Sequence, residues 1–79
     1  MTTMHMDEYW VRRFEDVGNW EIVHPDRGIV GYVWPETNGK FEAWMQGEET
    51  GIRIAEMWTF KAAVEQVIWY DRAMNQEAE

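Results

Sequence analysis

The chain has 79 residues, six tryptophans, no cysteine and a formal net charge of -8. This length predicts a single domain over residues 1–79, and the missing cysteine excludes disulfides and thiolate metal sites. The acid excess argues against direct nucleic-acid binding, because such binding depends on Lys and Arg at the phosphates. No run of residues approaches the roughly 18 apolar positions of a membrane span, and the N-terminus lacks the pattern of a secretory leader. We therefore expect a cytoplasmic protein without a membrane partner.

The N-terminal part of the chain carries weak structural signals. Residues 1–7 read as a flexible lead-in. Residues 9–14, YWVRRF, fit either a short strand or one helical turn, because their apolar spacing suits both periods. The Gly18-Asn19 pair then interrupts the run. The sequence leaves open whether this segment adds a strand to the fold.

Turn signatures divide the middle of the chain into strands. Pro25 to Gly28 has the spacing of a type I turn, and Asn38-Gly39 is typical of a hairpin. Gly31 lies inside a strand and indicates a bulge or the close approach of another group. The strands predicted from these signals cover residues 20–24, 29–34, 40–46 and 52–58.

One helix follows the last strand. Thr59 can cap its N-terminus, and helical spacing continues from Phe60 to about Asn75. The apolar stripe of this helix consists of Phe60, Ala63, Val64, Val67 and Met74. Asp71 falls within the stripe. It could pair with neighbours of Arg72 or cap a loop, but we expect it to lie beyond the rim of the sheet, because burial without a partner is costly. Residues 76–79 read as a flexible tail.

The predicted fold is α+β, with an antiparallel meander of three to four strands and one C-terminal helix packed on one face. The residues expected to meet that helix are Phe41, Ala43 and Met45. Because side chains alternate along a strand, Trp44 and Glu42 then point to the uncovered face. There Trp44 is either a contact residue for a partner or a residue covered by Trp10 or Phe14 of the N-terminal segment.

Trp69 gives a second candidate contact. On a helical wheel it lies opposite the apolar stripe, near Ala62 and Ala73. An exposed indole flanked by small residues suits docking, and a homodimer through the helix is the simplest form of docking. The alternative is a rotated helix in which Trp69 covers an edge of the sheet.

The sequence offers no convincing catalytic, metal or cofactor site. His5 and His24 are isolated, and the acidic turn at residues 47–51 is shorter than a calcium-binding loop of the EF-hand type. Glu42 and Glu56, on neighbouring strands, form a conceivable carboxylate pair, but charged strand faces are usually only solvated. We therefore expect a protein that is not an enzyme.

Acidic residues beside aromatic ones suggest a protein-binding module with a basic partner. Carboxylates two positions apart on a strand stand roughly 6.6 Å apart, so they can imitate phosphates while aromatic rings imitate bases. In this character the chain resembles phage-encoded inhibitors of host nucleases or transcription, anti-CRISPR proteins among them, which implies a nucleic-acid-handling partner. The predicted binding residues are Glu42, Trp44, Glu48, Glu49, Glu56 and Trp69. A structural or accessory homodimer is the alternative, and solubility alone would also account for the acid excess.

The order of elements from Trp20 to Trp69 resembles that of the arm-binding domains of phage-type integrases. In both, strands are followed by one helix, which begins here at Thr59-Phe60. Those domains read DNA with their sheet. The basic strand residues that such domains need are replaced here by acids, namely Glu36, Glu42, Glu48, Glu49 and Glu56. The resemblance is one of element order, and it implies no site residue in this chain.

Overall fold

The computed structural model describes residues 2–13 and 18–76. The elements in chain order are β1 (Thr2–Met6), β2 (Tyr9–Arg13), β3 (Trp20–His24), β4 (Gly28–Pro35), β5 (Phe41–Met45), β6 (Ile52–Met57) and α1 (Phe60–Gln76). The strands form one antiparallel sheet in which each strand pairs with the next along the chain. Within the described ranges, no helix combines the length and the apolar character needed to cross a membrane.

The α+β arrangement with a C-terminal helix is confirmed, but the prediction of three to four strands is wrong, because the sheet has six. β3 to β6 occupy the four predicted segments. The further strands are β2, in the undecided segment, and β1, in the residues that we read as a lead-in. β1 carries no apolar alternation, since its residues are mostly polar and exposed, and its pairing with β2 defines it. Asp7, between the two strands, adopts a φ of 57°, which suits a tight turn.

α1 begins where the sequence predicts. The amide of Ala62 donates a hydrogen bond to Oγ1 of Thr59 at 3.1 Å, so Thr59 caps the helix. The stripe residues that pack into the core are Phe60, Ala63, Val64 and Val67. The prediction that Met74 belongs to the apolar stripe is wrong. Met74 lies one helical turn after Asp71 and is 66% exposed. The C-terminal end of α1 therefore extends beyond the core that the helix covers. Residues 77–79 of the expected tail lie outside the described ranges.

Asp71 is buried, so its expected position beyond the rim of the sheet is wrong. Its carboxylate accepts hydrogen bonds from the hydroxyl of Tyr9, from the guanidinium of Arg27 and from Nδ2 of Asn75. These partners compensate the cost of burying the charge. Burial and the hydrogen bond to Asp71 both raise the pKa of the Tyr9 hydroxyl well above its ordinary value, so Tyr9 acts as a donor.

The core lies between α1 and one face of β3 to β6, and continues onto β2. Gly31 in β4 allows α1 to approach the sheet closely, because a Cβ at this position would lie 2.5 Å from Cγ1 of Val67. The register with β3 also shifts between Ile22 and Val23, opposite this part of β4. The sequence predicts a bulge or a close approach at Gly31; the close approach is confirmed, and the register of β3 and β4 is also irregular here. The other face of the sheet carries no helix among the described residues.

Candidate interaction surface on the open face of the sheet

The face of the sheet that α1 does not cover, here called the open face, carries aromatic and charged side chains. Ala43 and Met45, the neighbours of Trp44 along β5, are buried in the core, so Trp44 points to the open face as expected. Strand register then aligns one row across five strands, made of Arg12, Glu21, Tyr32, Trp44 and Arg53. A second row consists of Trp34, Glu42 and Glu56.

An aromatic depression of about 200 Å³ lies on the open face, lined by Tyr32, Trp34, Trp44 and Gly51. Gly51 provides the room, because a Cβ at this position would lie 3.2 Å from Cε3 of Trp44. Trp34 is exposed, whereas Trp44 is partly buried. Nε1 of Trp44 donates a long hydrogen bond, 3.4 Å, to Oε1 of Glu42. The aromatic depression therefore has aromatic walls and a carboxylate at its border.

Trp10 and Phe14 were the two residues that could have covered Trp44. Trp10 is exposed and lines a different depression, of about 420 Å³, together with Thr3 and Arg12. The ring of His5, its partner across β1 and β2, contacts the Trp10 indole with centroids 3.5 Å apart. Phe14 lies outside the described residues. Trp10 therefore does not cover Trp44, which lines the aromatic depression.

Three carboxylates converge beside the aromatic depression, and we call them the carboxylate cluster. One oxygen from each of Glu36, Glu42 and Glu56 lies within 4.8 Å of the others. Arg53 pairs with Glu42 at 2.7 Å, and Lys40 pairs with Glu56 at 3.2 Å. Such solvent-accessible pairs reduce local charge but contribute little stability. The three oxygens are the donor type that hard cations prefer, yet two of the carboxylates already have cationic partners.

Glu36 has the most perturbed carboxyl group of the cluster. Its Oε2 is shielded from water, and no described residue donates a hydrogen bond to it. The pKa of Glu36 is raised to about 7, first by a hydrogen bond to Glu56, then by partial burial and by the charge of Glu42. The same bond and one from Lys40 lower the pKa of Glu56. A proton on Glu36 lets two groups approach that would otherwise repel each other.

The structure brings together part of the predicted binding set. Glu42, Trp44 and Glu56 share the open face, and Glu42 lies directly opposite Glu56 in the register of β5 and β6. Glu48 and Glu49 are in the turn between these two strands, outside the carboxylate cluster. Of the predicted acids, Glu42 and Glu56 on the strands therefore belong to the carboxylate cluster, whereas the two acids of the turn do not.

Trp69 lies on a separate surface. Its side chain is 63% exposed on α1, and its ring contacts that of Tyr70 with centroids 5.2 Å apart. The exposure agrees with the position of Trp69 opposite the apolar stripe. Because α1 packs on the face of the sheet opposite Trp44, the two indoles cannot contact the same small group.

Tyr32, Trp34 and Glu36 belong to the site but were missed by sequence reasoning. Tyr32 and Trp34 alternate with buried Val33, so the same alternation that oriented the neighbouring strand would have found them. Glu36 carries no such signal, because it follows β4 at the start of a turn. Its position beside Glu56 results from the pairing of three strands, which local sequence does not encode.

The tryptophans divide between core and surface. Trp20 packs on the ring of Phe60 with centroids 4.9 Å apart, on the side of the sheet that faces α1. Nζ of Lys40 lies 4.3 Å from the ring centroid of Trp58. Four of the six are exposed, namely Trp10, Trp34, Trp58 and Trp69. The chain thus has more indole surface than its core uses.

A scan against protein-family models and searches of curated proteins and of solved structures match nothing to this chain. Its function is therefore inferred from the chemistry of its own surfaces. The open face combines aromatic and charged groups in one patch of described residues.

Proposed function

We propose that this protein is a small acidic protein-binding module whose open face binds a basic protein that handles nucleic acid. The observation that carries the proposal is the aromatic depression with its acidic border. Tyr32, Trp34 and Trp44 supply the aromatic walls, and Glu42 supplies a carboxylate that is hydrogen-bonded to Trp44. A sheet face that α1 does not cover leaves these groups available to a partner.

Exposed indoles on one face support binding to a protein. Trp10 and Trp34, both on the open face, are 43% and 42% exposed. Trp is enriched among the residues that dominate protein interfaces, because it combines a large apolar area with one hydrogen-bond donor. Clustered exposed apolar groups are typical of interaction sites on soluble domains.

The charge of the chain supports a basic partner. A formal net charge of -8 attracts a positively charged protein and repels free nucleic acid. Complementary charge accelerates association more than it strengthens the final complex, and salt screens it. We therefore expect the association rate to fall steeply as ionic strength rises.

Within this proposal the open face imitates nucleic acid. The carboxylates of Glu36, Glu42 and Glu56 stand for phosphates, and the rings of Trp34 and Trp44 stand for bases. The partner is then a nuclease or a component of transcription, and the protein acts as a phage-type inhibitor, similar in character to anti-CRISPR proteins. The proximity of acids and rings in one patch supports this imitation.

The test is capture of partners from a bacterial lysate with immobilised protein, followed by competition with duplex DNA. We expect a basic nucleic-acid-binding protein to be retained at low salt and to be released by DNA. Trp34→Ala should abolish the capture, whereas Glu65→Gln on the exposed side of α1 should leave it intact. Retention of proteins with no role in nucleic-acid handling, or capture that Trp34→Ala leaves unchanged, would contradict the proposal.

The outer side of α1 favours a second function, that of a structural or accessory homodimer. Trp69 and Met74 are 63% and 66% exposed there. Sedimentation velocity at micromolar concentration separates the two functions, because this one requires a dimer. Trp69→Ala should convert such a dimer to a monomer without loss of the fold. A wild-type chain that sediments as a monomer excludes this function.

A further inference from the structure

We propose that the aromatic depression receives one arginine side chain of the bound protein. This inference rests on the proposed function and identifies the group that the open face recognises. The aromatic walls are Tyr32, Trp34 and Trp44, and the adjoining charge comes from the carboxylate cluster. Four features support this occupant. They are the volume of the depression, the charge around it, the affinity of aromatic rings for a guanidinium, and the availability of a carboxylate to bind it.

The size of the aromatic depression suits a single side chain. Its volume is about 200 Å³. Pockets for drug-sized ligands are larger, at roughly 300–1,000 Å³. Gly51 leaves space on one side, because a Cβ at that position would lie 3.2 Å from Cε3 of Trp44.

The charge around the aromatic depression favours a cation. The face of an aromatic ring is negative, so a cation above Trp or Tyr is attracted to it. The carboxylate of Glu42 lies beside the ring of Trp44, because it accepts the hydrogen bond from Nε1 of that indole. The cluster has three carboxylates against the two cations Arg53 and Lys40. Above the Glu36 pKa of about 7 all three carboxylates are ionised and one negative charge is left in excess, and the formal net charge of -8 also favours a cation.

Arginine fits these walls better than lysine. Its guanidinium is planar, stacks on aromatic faces and sheds water more easily than an ammonium group. Arg is also the cation found more often over aromatic rings in proteins. The chain places both kinds of cation over indoles, since the Arg13 guanidinium carbon lies 6.0 Å from the ring centroid of Trp20 and Nζ of Lys40 lies 4.3 Å from that of Trp58, so the preference for arginine depends on the chemistry of the guanidinium. An arginine above Trp34 and Trp44 would extend the same interaction to a partner.

A carboxylate of the cluster can bind the arginine side chain without disrupting the fold. Arg53, which pairs with Glu42, is 54% exposed at its side chain and can move into solvent. Oε2 of Glu36 accepts no hydrogen bond from a described residue but is shielded from water, so Glu42 is the carboxylate that the arginine would contact. A guanidinium has five donors in a fixed fork and can contact both a carboxylate and the ring walls.

The test measures binding of blocked amino acids to the whole chain. N-acetyl-arginine amide is titrated while the indole N–H signals are followed by NMR, and N-acetyl-citrulline amide serves as its uncharged isostere. We expect the arginine compound to shift the Trp34 and Trp44 signals saturably, and to bind more tightly than the citrulline compound by about 2- to 30-fold, the range of one cation–π contact. Equal shifts by the two compounds would overturn the inference.

Variants localise the effect. Trp34→Ala and Glu42→Gln should each weaken arginine-amide binding several-fold, and the exposed position of Trp34 allows its replacement without loss of the fold. Trp69→Ala, on the other side of the molecule, is the matched control and should bind as the wild type does. Binding that survives Trp34→Ala, or tighter binding of N-acetyl-lysine amide, would overturn the assignment. Self-association that Trp34→Ala abolishes would assign the aromatic depression to a second copy of the chain instead.

The outcomes separate this inference from the proposed function. Specific binding of arginine amide by a chain that captures no basic protein would sustain the arginine site and overturn the proposed function. Capture of a basic protein that Trp34→Ala abolishes, by a chain that binds arginine amide no more tightly than citrulline amide, would sustain the proposed function and overturn the arginine site.

Discussion

The hydroxyl of Tyr9 on β2 donates a 2.5 Å hydrogen bond to the carboxylate of Asp71 on α1, across 62 positions of sequence. Arg27, in the turn between β3 and β4, binds the same carboxylate. This contact ties α1 to β2, a strand outside the part of the sheet that the helix covers most closely. The buried carboxylate therefore joins the N-terminal strands to the rest of the fold.

Asp71→Ala should destabilise the chain by about 2 kcal/mol or more. The change leaves the buried hydroxyl of Tyr9 without its acceptor, and an unsatisfied buried polar group costs roughly 1–3 kcal/mol. Arg27 is partly exposed and can reach water, which limits the loss. Urea denaturation measures the effect, with Glu65→Ala on the exposed side of α1 as control. A loss no larger than that of the control would show that the hydrogen-bond network does not stabilise the fold.

Gly31→Ala should cost about 3 kcal/mol. The new Cβ would overlap the carbonyl oxygen of Trp44 and lie 2.5 Å from Cγ1 of Val67. Neither strand backbone nor packed helix can yield cheaply, and overpacking a core typically costs roughly 1–3 kcal/mol. Gly18→Ala is the matched control, because open space surrounds that position and its φ is not positive. Thermal unfolding that does not separate the two variants would refute the close packing of α1 on β4.

The fold was predictable where signals are local. The hairpin turns, the four strands β3 to β6 and the cap at Thr59 all follow from residues within a few positions of one another. β1 was not predictable, because its mostly polar residues acquire a strand conformation only by pairing with β2. The burial of Asp71 was missed for the same reason, since Tyr9 and Arg27 lie far away in sequence.

The candidate site was predictable in part. Alternation along β5 orients Trp44 and Glu42 correctly, and the helical wheel exposes Trp69. The convergence of Glu36 with Glu56 depends on how three strands line up, and hydrophobic patterning does not specify where an acid after a strand will lie. The separation of Trp69 from the open face likewise follows from which side of the sheet the helix occupies.

Thr59→Ala should lower the stability by about 1 kcal/mol, the usual cost of removing an N-cap hydroxyl. Oγ1 of Thr59 accepts a hydrogen bond from the amide of Ala62, and Ala cannot replace that acceptor. Thr59→Ser keeps the oxygen and should retain most of the stability. Urea denaturation of the three proteins makes the comparison. Equal losses in both variants would indicate that the methyl group, and not the cap, matters at this position.

Glu36→Gln should remove a pH dependence of stability. The pKa of Glu36 is about 7 in the folded chain and has an ordinary value of 4.5. Since the folded state then binds the proton more tightly than the unfolded state does, this contribution is complete below pH 4.5 and is lost as pH rises through 7. The amide that replaces the carboxyl group cannot ionise but can still donate to Glu56, so the variant should lack this decline. It should therefore unfold at a higher temperature than the wild type at about pH 8, above the folded pKa.

The measurement is the thermal midpoint of both proteins from the ordinary pKa of 4.5 up to about pH 8, with Glu48→Gln as the control. Glu48 lies exposed in the turn between β5 and β6, so its replacement changes the net charge equally without touching the carboxylate cluster. The opposite shift at Glu56, whose folded pKa is lowered, affects stability only as pH falls below 4.5, so it does not interfere in this window. A decline with pH that persists in Glu36→Gln, or that disappears equally in Glu48→Gln, would mean that general charge repulsion and not the Glu36–Glu56 contact produces it.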